Sequence, residues 1–339
     1  MWSAVYHRSM APRLTRRHAL AGGTTALLGG TAGCLRGEPP EGTVDYAALD
    51  QIEWETAPPL KETTAGTPKP VFREYIADED PNTVLILFHN ATLDSRMLRP
   101  LASAIADTGV AHVITPDIRG HGPEPIRRGD TDYVGQLIDD LQAIVSTANG
   151  LQRPEPLDEF GTVIIGGHGA GGGFATRIGA DPLGDSLADA YLLLAPHLGR
   201  LLTPTTQRAF GGWQEFNAQS MLLAGTLNGL GIGVYNDTEV LRYEMPESAR
   251  YGGETLSYTF RLATELVPDE HTAITELGQP TLTLVGNDDE AVEPAAYESL
   301  LADTEGHELS LLDGVSHLEL MAHPQTLEQT VAWIDSLGG

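Results

Sequence analysis

Apolar runs and segments with helical spacing alternate along most of this chain. Val84–Phe88 is an unbroken apolar run, the pattern of a strand buried on both faces. Met97–Asp107 places Leu98, Leu101 and Ile105 at helical spacing and stops before Gly109. The two patterns then recur. Strands are predicted at Ala111–Thr115, Thr162–Ile165, Ala190–Ala195, Thr281–Val285 and Glu308–Leu312. Helices are predicted at Asp132–Ala148, Ala170–Gly179, Pro294–Ala302 and Pro324–Leu337. Val71–Ala77 alternates like an antiparallel edge strand. Repeated strand–helix units imply an α/β fold, with a mostly parallel sheet and helices on both faces.

Two regions break the rhythm. The segment from about 198 to 279 holds Gly211-Gly212-Trp213, Asn228-Gly229 and Gly231-Ile232-Gly233, and reads as a lid inserted after the sixth core strand. Ligands of such sheets bind beyond the carboxyl ends of the strands, so the lid is expected to cover the pocket. Residues 34–70 are rich in Pro, Gly, Thr and Glu and read as a tether, with at most a short strand near Gln51–Glu55. The folded domain is expected to span 71–337.

Residues 1–33 have the composition of an export signal. Arg8, Arg13, Arg16 and Arg17 give a basic start without an acidic residue, and Ala19–Leu28 is too short to span a bilayer. Thr15-Arg16-Arg17-His18-Ala19-Leu20 resembles a twin-arginine signal, although the usual aromatic residue after the pair is missing. Thr31-Ala32-Gly33-Cys34 resembles a lipoprotein cleavage site. Cys34 is therefore the expected lipid attachment point, anchoring an exported protein to the outer face of the cytoplasmic membrane. As the only cysteine of the chain, it excludes an internal disulfide.

Charge narrows the partners. The formal net charge is −27, and Lys61 and Lys69 are the only lysines. Such a surface repels nucleic acid and anionic headgroups. It suits a halophilic setting, where salt screens the self-repulsion.

The chemistry centres on Gly167-His168-Gly169-Ala170-Gly171, between a predicted strand and a predicted helix. A nucleophile elbow has the form G-x-S-x-G, with serine on the sharp turn. Here the middle position is glycine. Other parts of a serine hydrolase surround it. A strand ends in His89-Asn90-Ala91, and a turn reads Asp117-Ile118-Arg119-Gly120-His121-Gly122. Gly286-Asn287-Asp288-Asp289 follows a strand, and Gly314-Val315-Ser316-His317-Leu318 follows the last one.

Taken together, Val71–Leu337 resembles an α/β-hydrolase of the lysophospholipase, monoacylglycerol-lipase and S33-peptidase-like branch, which carries a lid at this place. The resemblance implies the order nucleophile, acid, base, matched by position 169, Asp289 and His317, with Asp288 as the other acid candidate. It implies an oxyanion hole from the backbone N–H groups of Ala91 and Ala170. Asn90 stands where the family usually has glycine, and Arg119 and His121 are expected to lock a loop. With Gly169 at the nucleophile position, the implied protein derives from a serine esterase or lipase. It is expected to lack serine catalysis and to bind an apolar or ester-like small molecule.

Two alternatives follow from the same residues. Hydrolysis could persist through water activated by His317 and Asp289, or through a relocated serine such as Ser95, Ser220 or Ser316. The run Gly167-x-Gly169-x-x-Gly172 also fits a dinucleotide fingerprint, but the next strand ends Leu194-Ala195-Pro196-His197, without the acid that would hold a ribose. The eleven histidines are scattered without metal-ligand spacing, so no cofactor or metal is expected.

Overall fold

The computed structural model describes residues 44–79, 81–149, 161–199 and 214–338. The expected signal and Cys34 lie outside them. The main sheet has eight strands. Its strands are β1 (Lys61–Glu62), β2 (Val71–Tyr75), β3 (Thr83–Phe88), β4 (His112–Pro116), β5 (Thr162–His168), β6 (Ala190–Leu194), β10 (Thr281–Gly286) and β11 (His307–Leu312). In the order β1-β2-β4-β3-β5-β6-β10-β11, the pairs β1–β2 and β2–β4 are antiparallel, so only β2 is reversed, and all other neighbours are parallel. Val84–Phe88 is buried throughout, as its unbroken apolar run requires. Helices α1 (Arg99–Asp107), α2 (Gln136–Asn149), α3 (Ala170–Gly179), α6 (Pro294–Leu301) and α7 (Pro324–Leu337) accompany the strands. The chain is thus a mostly parallel α/β fold.

Several boundaries moved for physical reasons. β5 runs on through Gly166, Gly167 and His168, residues whose low strand propensity hid the extension. Helix α2 starts at Gln136 rather than at Asp132. Its Leu137 N–H is capped by the Glu265 carboxylate, 128 residues away, at 2.9 Å. β2 is antiparallel but not the outermost strand, because Lys61–Glu62 pairs outside it.

The expected tether is in part folded. Instead of a strand near Gln51–Glu55, the described residues form two 3₁₀ turns, Tyr46–Gln51 and Trp54–Thr56. Asp45 caps the first turn by accepting from Ala47 N–H, and Ala48, Leu49 and Ile52 are buried against the domain. Trp54 stacks on Tyr251, with ring centroids 4.2 Å apart.

The insertion between β6 and β10, where described, has its own small antiparallel sheet of β7 (Gln214–Phe216), β8 (Glu239–Tyr243) and β9 (Ser257–Thr259). Helices α4 (Ala218–Gly229) and α5 (Phe260–Glu265) belong to it. It is tied to the loops after β3 and β4. Thr255 N–H donates to Thr92 O at 2.9 Å, and Thr259 N–H to Gly129 O at 3.0 Å. Arg261 grips the Asp130 carboxylate from two nitrogens, at 2.7 and 3.0 Å.

Candidate active site

Four loops meet at the carboxyl edge of the sheet. They follow β3, β5, β10 and β11, where an open parallel sheet presents its ligands. After β5 the chain turns at Gly169 with φ +53° and ψ −112°, then enters α3 at once. Residues with side chains rarely adopt that backbone, so glycine relieves the strain of the turn. The neighbouring glycines answer to packing. A Cβ on Gly171 would lie 2.4 Å from Phe88 O, so α3 can lie this close to β3 only without one. That packing accounts for the G-x-G-x-x-G spelling without a dinucleotide.

The histidine loop lies against this turn. His317 is 2% exposed, and its ring stands 4.5 Å from that of His168, centroid to centroid. His317 Nδ1 meets Asp289 Oδ2 at 2.8 Å. The other Asp289 oxygen accepts from Ala291 and Val292 N–H at 2.8 and 2.9 Å. Asp288 is exposed and makes no such contact with the ring. Burial alone would push the His317 ring toward neutrality. The Asp289 carboxylate outweighs it and raises the tendency of the ring to hold a proton.

The far side of the ring is occupied. Asn90 Nδ2 lies 3.0 Å from His317 Nε2. The backbone N–H groups of Ala91 and Ala170 converge, and both donate to Asn90 Oδ1, at 2.7 and 3.1 Å. Two donors on one atom fix that atom as the amide oxygen, which leaves the NH₂ facing the imidazole. His317 therefore carries its proton on Nδ1 and accepts at Nε2. One unbroken chain of hydrogen bonds links Asp289, His317, Asn90 and the two N–H groups.

Supporting residues hold these loops. His89 donates from Nδ1 to Asn90 O at 2.8 Å, and its Nε2 accepts from Ile118 N–H at 2.9 Å. His121 Nε2 accepts from Tyr258 Oη at 2.6 Å, and the same hydroxyl accepts from Thr92 N–H at 2.9 Å. Burial pushes the His89, His121 and His168 rings toward the neutral form. Arg119 pairs with Asp140 at 2.5 and 2.7 Å and fixes the loop after β4. Glu290 accepts from His317 N–H at 3.2 Å and also from Asp45 N–H, joining the amino-terminal turns to the histidine loop.

None of Ser95, Ser220 and Ser316 bonds to the His317 ring, whose nitrogens meet Asp289 and Asn90. Ser95 Oγ accepts from Arg73 Nε at 3.0 Å. Ser220 lies in the first turn of α4. Ser316 Oγ is buried without a hydrogen-bond partner, and His317 Nε2 is engaged by Asn90. A depression of about 400 Å³ between β11 and α7, lined in part by Leu312, Glu328 and Gln329, shares no residue with the site. Among the described residues no group of three or more His, Cys, Asp or Glu could hold a metal ion.

Residues 79–323 match the family model of serine aminopeptidase, S33. The chain belongs to that S33 family. Solved structures share its fold. Monoglyceride lipase from Saccharomyces cerevisiae, a soluble variant in complex with a substrate analogue, is 16% identical, with a TM-score of 0.61, covering 83% of this chain and 96% of that one. Est1E from Butyrivibrio proteoclasticus with bound ferulic acid is 16% identical, with a TM-score of 0.52, covering 79% and 94%. A thermophilic esterase from Thermogutta terrifontis is 19% identical, with a TM-score of 0.52, covering 83% and 99%. No curated protein matches the chain in sequence. In the sequence, Asn90 stands out only as a departure from the glycine usual at this position. The available signal was asparagine at 90 together with glycine at 169, on two neighbouring loops.

Proposed function

We propose that this S33-family chain derives from a serine esterase or lipase, no longer hydrolyses through a serine, and binds an apolar or ester-like small molecule. The observation that carries this reading is Gly169, held at φ +53° between β5 and α3 beside a buried His317–Asp289 pair. The base and acid stand where a hydroxyl would be activated, and the turn supplies none. Loss of the serine in a triad hydrolase costs about a million-fold in turnover. The ester-like ligand class rests on the neighbours in fold, one holding a substrate analogue and another ferulic acid.

Hydrolysis by water activated at His317 is the weaker reading. The Nε2 lone pair that would take the proton of water accepts from Asn90 Nδ2 instead. Export and anchoring through a lipid on Cys34 are part of the proposal and rest on the sequence of residues 1–34.

A fluorophosphonate probe tests the loss of serine catalysis. The unaltered chain is expected to stay unlabelled and to turn over no p-nitrophenyl ester above buffer. Covalent labelling abolished by heat denaturation would overturn it. For the anchor, mass spectrometry of the mature amino terminus is expected to find a lipidated Cys34, and Cys34→Ser should release the protein from membranes.

A further inference from the structure

We infer that the Asn90 carboxamide is the resident occupant of the reaction centre, and that Gly169 is the residue that makes room for it. The inference deepens the reading of a hydrolase without its serine, and rests on that reading.

The carboxamide reproduces what a bound acyl group would do. Its oxygen takes both converging N–H groups, at 2.7 Å from Ala91 and 3.1 Å from Ala170. Those donors are placed where negative charge would develop on a substrate oxygen. Its nitrogen takes the face of His317 at 3.0 Å, where a leaving group or a serine hydroxyl would sit. Asn90 is 3% exposed, so these contacts are shielded from water. Left vacant and dry, two such N–H groups would be buried donors without partners, which folding penalises.

The same atoms exclude a side chain at 169. A Cβ there would lie 2.0 Å from Asn90 Oδ1 and 2.5 Å from Asn90 Cγ. Real Cβ atoms do not approach other atoms so closely. A serine at 169 and the observed Asn90 rotamer are therefore mutually exclusive. The two departures from the family pattern are one exchange. Restoring the serine alone forces it against the Asn90 carboxamide without removing that group from the site, so both positions must revert together.

Two experiments on the full chain test this. First, Gly169→Ala is made in the wild-type and Asn90→Gly backgrounds, and unfolding in urea is followed. The expected coupling is at least about tenfold in the unfolding equilibrium constant, with Gly169→Ala milder once Asn90 is gone. Additive effects would mean that Asn90 does not occupy the space beside Gly169. Second, fluorophosphonate labelling of Gly169→Ser is compared with that of Asn90→Gly/Gly169→Ser. The double variant is expected to label about 10²–10³-fold faster, the worth of a working oxyanion hole. Equal labelling of the two would overturn the inference. If neither labels because acid or base has decayed, the unfolding coupling alone decides. Labelling of the unaltered chain is a separate outcome, which overturns the loss of serine catalysis rather than the role of Asn90.

Discussion

Asp289 holds His317 by one oxygen and its own loop by the other. Oδ2 meets the ring at 2.8 Å, while Oδ1 accepts from Ala291 and Val292 N–H. A carboxylate can accept at both oxygens, and an amide cannot. Asp289→Asn would keep the two loop bonds only by turning an NH₂ toward Nδ1–H. The ring would then have to change tautomer and place Nε2–H against Asn90 Nδ2. We expect a loss of about 2–4 kcal/mol in urea unfolding from the mismatched buried donors. Asp288→Asn, on the exposed neighbour, should stay within about 0.5 kcal/mol of wild type.

The hydroxyl of Tyr258 ties the insertion to the site loop. It accepts from Thr92 N–H and donates to His121 Nε2. Tyr258→Phe keeps the ring but leaves a buried donor and a buried acceptor without partners. The expected cost is about 2–4 kcal/mol. Hydrogen exchange should rise first at the Thr92 and Thr255 amides, which bridge the two regions.

Glu265 makes stability depend on pH. Burial pushes its carboxyl up to about 7, against the opposing N–H groups of Leu137 and Gly135. The ordinary value is 4.5, so between those limits the folded chain keeps a proton that the unfolded chain has lost. The contribution is present below about pH 4.5 and lost as pH rises through 7, by up to about 3 kcal/mol. Glu265→Gln can still accept from Leu137 N–H. It should flatten that slope relative to wild type, measured by urea unfolding at pH 5 and pH 8. An unchanged slope would assign the pH dependence to other groups.

The amino-terminal turns act as part of the domain. Trp54 stacks on Tyr251, and the Arg96 guanidinium lies 5.3 Å from both ring centres. Trp54→Ala should cost about 1–3 kcal/mol, through lost apolar area and the aromatic pair. Deleting residues 1–56 should lower the thermal midpoint by several degrees. A free tether would leave it unchanged.

Much of the architecture was legible because strands and helices announce themselves locally. The apolar run at Val84–Phe88 and the helical spacing of Pro324–Leu337 each encode their own element, whatever lies elsewhere. The loops that carry Gly169, Asp289 and His317 could be placed because each follows a recognisable strand. Within the insertion the sequence offered only glycine-rich punctuation. β8 and β9 gain their regularity by pairing with each other rather than from their own pattern.

By itself, then, the sequence determined the alternation of elements, the family pattern and the absence of a hydroxyl at 169. Only the tertiary structure decided what lies beside that turn. Asn90 reaches His317 across 227 positions and Ala170 across 80, contacts that no local period records. The contact of Asp289 with the His317 ring and the seating of Trp54 on Tyr251 have the same origin. Hydrogen bonding and close packing act between atoms brought together by the fold, and their partners are set by distance in space rather than along the chain.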